Sequence, residues 1–241
     1  MFVLTTIVDT VRIPPSMLAQ PTLLSVHAEM DKKYPNRVIM DVGLVVCRYG
    51  DALQVGDGVC VAGDGGAHHE MISKLLIFRP FVEEVCLGYI TKSTRDGISV
   101  SIGFFEDIYI PAYWMLRPSQ FEEESGLWVW TPNYGEDDSE PERFDMDIGA
   151  EIRFKVKSIN FTQVTNTAKG VQATTTTTSH SITTREQGPV RKRSTSIDIT
   201  DSTTDAPASM LIVASICEDG LGLTSWWMST VDDDEDMSED V

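Results

Sequence analysis

The chain has 241 residues, of which 41% are hydrophobic, a composition that supports one or two ordinary domains and excludes wholesale disorder. Its formal net charge is −18 at pH 7, and residues 81–162 and 210–241 carry −9 each. A protein that holds nucleic acid by bulk electrostatics needs a basic face. Nucleic-acid binding of that kind is therefore excluded over most of the chain.

The sequence predicts a soluble, intracellular protein. No apolar run approaches the ~20 residues that cross a bilayer, so no membrane span is expected. The N-terminal segment, MFVLTTIVDTVRIPP, has no basic residues before its apolar stretch, and the charged residues Asp9 and Arg12 interrupt that stretch. Both features argue against a secretory signal.

Residues 1–80 predict a compact α+β domain with one main helix. Residues 2–12 and 37–49 are rich in β-branched side chains, which is typical of strands. Between them, PTLLSVHAEMDKKYP has apolar residues at helical spacing, and Pro35 ends that pattern. The residues expected near one helical face are Leu23, Leu24, Val26, His27 and Met30. Two further strands, ALQVGDGVCVAG and EMISKLLIFRP, complete the domain.

Residues 81–231 predict an all-β barrel of the OB type, a small Greek-key barrel. Short strands follow one another closely, as in EEVCLGYITKS, DGISVSIGF and EDIYIPAYW, and Gly97 suits the turn between the first two. The Thr- and Ser-rich segment 163–209 is expected to be a disordered insertion, because few large apolar residues are present to offset its ordering entropy. The acidic stretch 232–241 is expected to be a disordered, solvated tail.

The loop Gly63-Asp64-Gly65-Gly66 resembles a phosphate cradle only superficially. It joins two predicted strands and lacks the lysine and the following helix of a phosphate-binding loop. An exposed turn that docks on another protein is the better interpretation. The adjacent His68 and His69 point to opposite faces of a strand and cannot both bind one metal ion.

No catalytic, cofactor-binding or metal-binding residues are predicted. The four cysteines, Cys47, Cys60, Cys86 and Cys217, have apolar neighbours and no metal-ligand spacing, which favours buried thiols. A serine in a nucleophile elbow and a cysteine in a catalytic context are both missing from the sequence. The sequence therefore argues against an enzyme.

The strand EIRFKVKSINF places its basic side chains on one face, because alternate residues of a strand point to opposite sides. Together with the first barrel hairpin it supplies our candidates for contact with an RNA backbone, and a merely solvated face is the alternative. These candidates are Lys92, Arg95, Arg153, Lys155 and Lys157.

The tryptophans allow two interpretations. Trp128 and Trp130 face the same side of a strand, whereas Trp226 and Trp227 face opposite sides, so a platform for base stacking is one interpretation. Aromatic side chains that close the barrel are the commoner arrangement. Arg191-Lys192-Arg193 beside Ser194 suggests a nuclear-import patch or a phosphorylation element.

Several blocks of the sequence together resemble one family, the OB-fold stalk subunit of RNA polymerase III. The similarity extends over nearly the whole chain, apart from the Thr-rich segment and the acidic tail. Stalk subunits of RNA polymerase II and of archaea share the two-domain plan. The blocks are MFVLTTIVDTVRIPP, GDGGAHH, IFRPFVEEVCLGYI, GISVSIGFFEDIYIP, LWVWTPN, GAEIRFKVKSINF and EDGLGLTSWW.

The resemblance implies a non-catalytic accessory subunit of a nuclear polymerase. The N-terminal domain would dock on the polymerase core through positions matching Pro14, Pro15 and the loop Gly63–Gly66. A small helical subunit would complete a heterodimer. The OB domain would meet initiation factors or nascent RNA during transcription of transfer RNA, 5S ribosomal RNA and other small RNA genes.

Two alternatives remain open at this stage. One is a free-standing OB-fold RNA-binding protein of translation or RNA processing, although the acidity of residues 81–162 argues against it. The other is an enzyme that uses an OB domain for substrate recognition, which would need an active site that the first 80 residues do not offer. The small N-terminal domain is also expected to carry an apolar patch that a partner covers.

Overall fold

The computed structural model describes residues 1–132, 142–167, 170–179, 193–199 and 208–227. One α-helix, α1, spans Thr22–Lys33, and three single-turn 3-10 helices span Pro15–Met17, Ala112–Trp114 and Thr224–Trp227. The strands, in chain order, are β1 (Phe2–Ile13), β2 (Val38–Ile39), β3 (Gly43–Cys60), β4 (Ala67–Phe78), β5 (Val85–Thr94), β6 (Gly97–Ser101), β7 (Ile108–Pro111), β8 (Ser119–Glu122), β9 (Leu127–Trp130), β10 (Phe144–Met146), β11 (Glu151–Thr167), β12 (Gly170–Ser179), β13 (Arg193–Ile199), β14 (Met210–Ser215) and β15 (Gly222–Leu223).

The chain divides into two compact units. The first comprises residues 1–84 and 158–212, and the second comprises residues 85–157 and the chain from residue 213 onward. The predicted domain ranges, 1–80 and 81–231, stay predictions. The predicted acidic tail, 232–241, and the basic residues Arg191 and Lys192 lie outside the described residues.

The first unit contains an antiparallel sheet in the order β1-β4-β3-β2, with α1 packed on one face. Alternate side chains of β1 turn toward the helix, and the others are exposed. The core between sheet and helix consists of Val11, Ile13, Val26, Met30, Val45, Met71, Leu75 and Ile77. The predicted α+β arrangement with one main helix is confirmed.

The helix lies where the sequence predicts it, but fewer of its apolar residues are buried than the sequence predicts. It begins after Pro21, and Lys32 and Lys33 occupy its last turn, where cations suit the helix dipole. Val26 and Met30, one turn apart, are buried, whereas Leu23 and Leu24 are exposed. The first helical turn therefore carries two leucines that do not reach the core.

The barrel consists of five strands. Its order is β5-β6-β7-β14-β11, and pairing of β11 with β5 closes it. This order is that of the OB-type Greek-key barrel, so the predicted fold of an α+β part followed by an OB-like barrel is confirmed. A small sheet in the order β10-β9-β8 follows β7 in the chain, and β15 pairs with β11.

The Thr-rich segment differs from its prediction as a disordered loop. Residues 170–179 form β12, which pairs with β11, and residues 193–199 form β13, which pairs with β12. Threonine is β-branched and favours extended backbone, and the pairing gives backbone hydrogen-bond partners to residues 170–179. Composition correctly showed that the segment has few large apolar residues, but strand pairing does not require them.

Gly88 lies at the seam where the barrel closes. It pairs with Ile152 of β11, and a β-carbon at this position would lie 2.7 Å from Val100 Cγ1 and 2.8 Å from the Ser101 carbonyl oxygen. Contacts this short with backbone force the strands apart. The barrel therefore needs a glycine here for packing.

Replacing Gly88 by alanine should lower the free energy of unfolding of the second unit by about 1–3 kcal/mol, the usual cost of overpacking. All five tryptophans belong to this unit, so their emission during urea denaturation measures it selectively. Leu87→Ala, on the neighbouring half-exposed side chain, is the matched control and should change stability little. Equal stability of the two variants would contradict the packing argument.

Candidate functional site

The row of basic side chains on β11 is formed as the sequence predicts. Ile152, Phe154 and Val156 are fully buried in the barrel, so the residues between them face outward. Lys155 Nζ lies 2.7 Å from Oε2 of Glu218, and Lys157 Nζ lies 3.0 Å from Oε1 of the same carboxylate. Arg153 Nη1 donates to the Gly220 carbonyl oxygen at 3.3 Å. The three cations, Arg153, Lys155 and Lys157, therefore share one surface.

Glu218 neutralises part of this row. Hydrogen bonds from Lys155 and then from Lys157 hold the pKa of its carboxyl below the ordinary value, so it stays ionised at neutral pH. The two lysine side chains are only 19% and 18% exposed. An approaching phosphate must therefore compete with an internal carboxylate for both ammonium groups.

Two aromatic residues that sequence reasoning did not select lie beside the row. Lys157 Nζ is 5.5 Å from the centre of the Trp114 ring, within the range of a cation–π interaction. The Tyr113 ring is 5.9 Å from that of Trp114 and is largely exposed. Trp114 lies next to Lys157 because strands distant in the sequence pair with each other. A local sequence pattern could not have predicted this contact.

The other two RNA-binding candidates lie elsewhere on the barrel. Lys155 pairs opposite Val85, at the start of β5, whereas Lys92 lies near the end of that strand. At about 3.3 Å per residue, these positions are separated by roughly 20 Å. Arg95 lies in the following turn, exposed, with its Nη1 3.6 Å from Glu123 Oε1. The five predicted residues therefore do not form one site.

The tryptophans pack together instead of forming an exposed platform. Trp128 and Trp130 are both buried, and Trp128 Nε1 donates to the Thr94 carbonyl oxygen at 2.7 Å. The rings of Trp130 and Trp226 are 5.1 Å apart. Trp227 is partly exposed. A structural aromatic cluster is thus the arrangement found.

The predicted docking positions lie together at one end of the first unit. The loop between β3 and β4 contains Gly63–Gly66, and a β-carbon on Gly65 would lie 3.8 Å from Pro15 Cγ. Pro14 precedes the 3-10 helix that contains Pro15. Gly63 and Gly65 have φ angles of +91° and +67°, a region that favours glycine. The loop conformation is therefore set by its glycines.

Asp64 fixes this loop to the sheet. Arg12 Nε donates to both carboxylate oxygens at 2.9 Å, and Arg12 Nη2 donates to the Asp64 carbonyl oxygen at 3.2 Å. His68 Nε2 lies 2.6 Å from Asp64 Oδ2. The hydrogen bonds from Arg12, followed by that with His68, lower the pKa of Asp64 to about 2. The carboxylate therefore joins the loop to β1 through Arg12 and to the start of β4 through His68.

The remaining candidate groups give no chemical site in the described residues. These contain no cluster of three or more potential metal ligands. No helix among them is long and apolar enough to cross a membrane. His69 is buried, with Nδ1 3.0 Å from the Gly56 carbonyl oxygen, and points away from His68 as predicted. The prediction of four buried thiols is wrong except at Cys86, because the other three cysteines lie outside the packed cores.

Asp64→Asn should increase the hydrogen-exchange rate of the Asp64 amide, which donates to the Val61 carbonyl oxygen at 3.1 Å. Because the pKa of Asp64 is depressed from 3.8, the stabilisation is complete above 3.8 and is lost as pH falls through about 2. The native loop should stay protected between these two values. Asp57→Asn, on an exposed residue of β3, is the control. Unchanged exchange in Asp64→Asn would show that the glycines alone hold the loop.

Comparisons with known proteins agree with this architecture. The family described as RNA polymerase III subunit Rpc25 matches residues 84–227. The chain is 35% identical over 228 residues to the DNA-directed RNA polymerase III subunit rpc8 of Schizosaccharomyces pombe, covering 94% of this chain and 100% of that protein. It is 34% identical to the RPC8 subunit of Bos taurus over 233 residues, covering 95% and 100% respectively.

A more distant similarity reaches archaeal polymerases. Over 93 residues the chain is 30% identical to the DNA-directed RNA polymerase subunit Rpo7 of Saccharolobus solfataricus, covering 39% of this chain and 51% of that protein. Relatives named as polymerase subunits agree with the prediction of a non-catalytic accessory chain. The resemblance identified from the sequence is confirmed, and the chain belongs to the family of the Rpc25 subunit of RNA polymerase III.

Proposed function

We propose that this chain is a non-catalytic stalk subunit of nuclear RNA polymerase III. It pairs with a small helical subunit and docks on the polymerase core. In that position it meets initiation factors during transcription of transfer RNA, 5S ribosomal RNA and other small RNA genes. Family membership supports the polymerase, and the surface of the first unit supports an obligate partner.

The observation that carries this proposal is an apolar face on the sheet of the first unit. The helix covers only the opposite face. Phe2, Leu4 and Val8 of β1 are 47%, 47% and 63% exposed. Their partners across β4 share the same side of the sheet: Leu76 and Ile72 are partly exposed, whereas Phe78 is already buried. An exposed apolar surface of this extent marks a protein–protein interface.

Two apolar residues of β3 also lie on this side of the sheet, opposite polar residues of β4. Tyr49 pairs with Lys74 of β4, and Val59 pairs with His68, so both side chains lie on the same open side. Both are exposed. A helical partner with an apolar stripe would bury this face. The glycine loop held by Asp64 lies at one end of the same sheet and supports docking on a second surface, that of the core.

We also propose that the barrel contacts nascent RNA through the row on β11. The row combines lysines with Trp114 and the exposed Tyr113, and such pairs of cations and aromatic rings suit single-stranded nucleic acid. Glu218 and the acidity of the chain keep this contact weak and local. The assembly must therefore supply most of the RNA affinity, which disfavours a free-standing RNA-binding protein.

Affinity purification of the tagged chain should recover the large subunits of RNA polymerase III and a small helical subunit in near-equal amounts. The chain expressed alone should aggregate, and co-expression with the helical subunit should restore solubility. Leu4→Glu, which charges the open face, should abolish that pairing, whereas Leu24→Glu on the exposed side of α1 should not. Recovery of ribosomes without polymerase, or a monodisperse monomer, would contradict the proposal.

Removing both lysines, Lys155→Ala with Lys157→Ala, should weaken binding of the purified heterodimer to a single-stranded oligouridylate. Affinity decreases with salt concentration, and the magnitude of the slope of log affinity against log salt should become smaller by about 0.7 for each phosphate that the variant no longer neutralises. Glu218→Gln should strengthen binding, because it removes the competing carboxylate. Lys32→Ala, on an exposed lysine of the first unit, serves as the control. Identical salt slopes for native and double-variant proteins would exclude this row from RNA binding.

A further inference from the structure

A cavity in the first unit has a cationic lining. It has a volume of about 400 Å³ and lies against residues of β1, α1 and the segment that follows the helix. Its charged lining consists of the four cations Arg12, Lys32, Lys33 and Arg37 and the single carboxylate Glu29. This concentration of positive charge is unexpected in a chain with a net charge of −18.

Three of the four cations are already held by carboxylates of the unit itself. The pairs are Arg12 with Asp64, Lys32 with Glu29, and Lys33 with Asp9. Partial burial raises the pKa of Asp9, but hydrogen bonds from Lys33, Tyr34 and the Thr10 amide outweigh it and leave that pKa lowered. Asp9 is therefore ionised at neutral pH. Four cations thus meet three carboxylates, and one positive charge is left over.

The charge left over is that of Arg37. Within the described residues, its exposed guanidinium has no hydrogen-bond or ion-pair partner. Its backbone, in contrast, is fixed, because Arg37 N donates to the Tyr34 carbonyl oxygen at 3.2 Å and the Arg37 carbonyl oxygen accepts from Val45 N at 2.9 Å. A guanidinium on a fixed backbone is suited to bidentate binding of a carboxylate.

We propose that this cavity binds an acidic side chain from an extended segment of a neighbouring polypeptide, with Arg37 as the anchoring residue. The one positive charge that is left over, on Arg37, equals the negative charge of a single carboxylate. A carboxylate matches the bidentate geometry of the Arg37 guanidinium, and a nucleic-acid backbone is the competing outcome of the test. The inference does not depend on membership of a polymerase.

The test is a titration of the full-length purified chain, with any companion that keeps it soluble, against fluorescein-labelled hexaglutamate. The native protein should bind the peptide, and Arg37→Glu should weaken binding about tenfold or more, since like charges then face each other. Arg117→Glu makes the same substitution at an exposed arginine of the second unit and should bind like the native protein. Unchanged tryptophan emission and unfolding midpoints would show that the variants are folded.

The outcomes separate acidic peptide from nucleic acid. Loss of hexaglutamate binding in Arg37→Glu alone supports the proposal. Equal binding by both variants, or no binding by the native protein, overturns it. It is also overturned if an oligouridylate of equal charge binds more tightly than hexaglutamate and Arg37→Glu abolishes that binding. A failed titration would leave the co-purification result with polymerase unaffected, so the two proposals are tested separately.

Discussion

Pairing between β5 and β11 is the interaction on which the barrel and its outer surface depend. It places Ile152 and Phe154 in the interior, where each contributes about 1.5–3 kcal/mol through burial. Gly88, opposite Ile152, leaves room for Val100 and Ser101 of β6 and for the Phe154 ring. Because side chains alternate along a strand, the same burial fixes Arg153 and Lys155 on the outside. The cationic surface is thus a direct consequence of closing the barrel.

Several cations of the described residues are matched by carboxylates nearby. Asp64 holds Arg12, Asp9 holds Lys33, and one carboxylate, Glu218, holds two lysines of β11. In a strongly acidic chain, a count of basic residues therefore overstates the charge available to a ligand. The functional question becomes which cations remain unmatched and which carboxylates a ligand can displace. On β11 the ligand must compete with Glu218, whereas at Arg37 it meets an open guanidinium.

Sequence patterns predicted those features that depend on neighbouring residues in the chain. Alternation along β11 correctly placed Phe154 inside and Lys155 outside, and the helix was found between Pro21 and Pro35. The turn at Gly97, which joins β5 to β6, was likewise a local signal. OB-type topology followed from strand spacing together with the family resemblance. These are cases in which periodicity and turn chemistry decide the structure.

Features that depend on distant pairing could not be predicted in this way. Threonines of 170–179 form a strand only because β11 offers an edge for pairing, which composition does not reveal. Glu218, which sets the charge of the site, is more than sixty residues from Lys155 along the chain.

The geometry of the first unit limits how much of its sheet one helix can cover. Its helix has 12 residues and spans about 18 Å, whereas the 12-residue strand β1 spans about 40 Å. A helix about 10 Å across covers roughly two strands that are ~4.8 Å apart, and this sheet has four strands. One helix therefore cannot cover even one face completely, and the apolar side chains of the other face, such as Leu4 and Val8, stay exposed. Enlarging the core would need a second helix that residues 1–84 do not contain. The helical partner proposed above would supply it and complete the hydrophobic packing, so the same geometry that limits the core favours assembly.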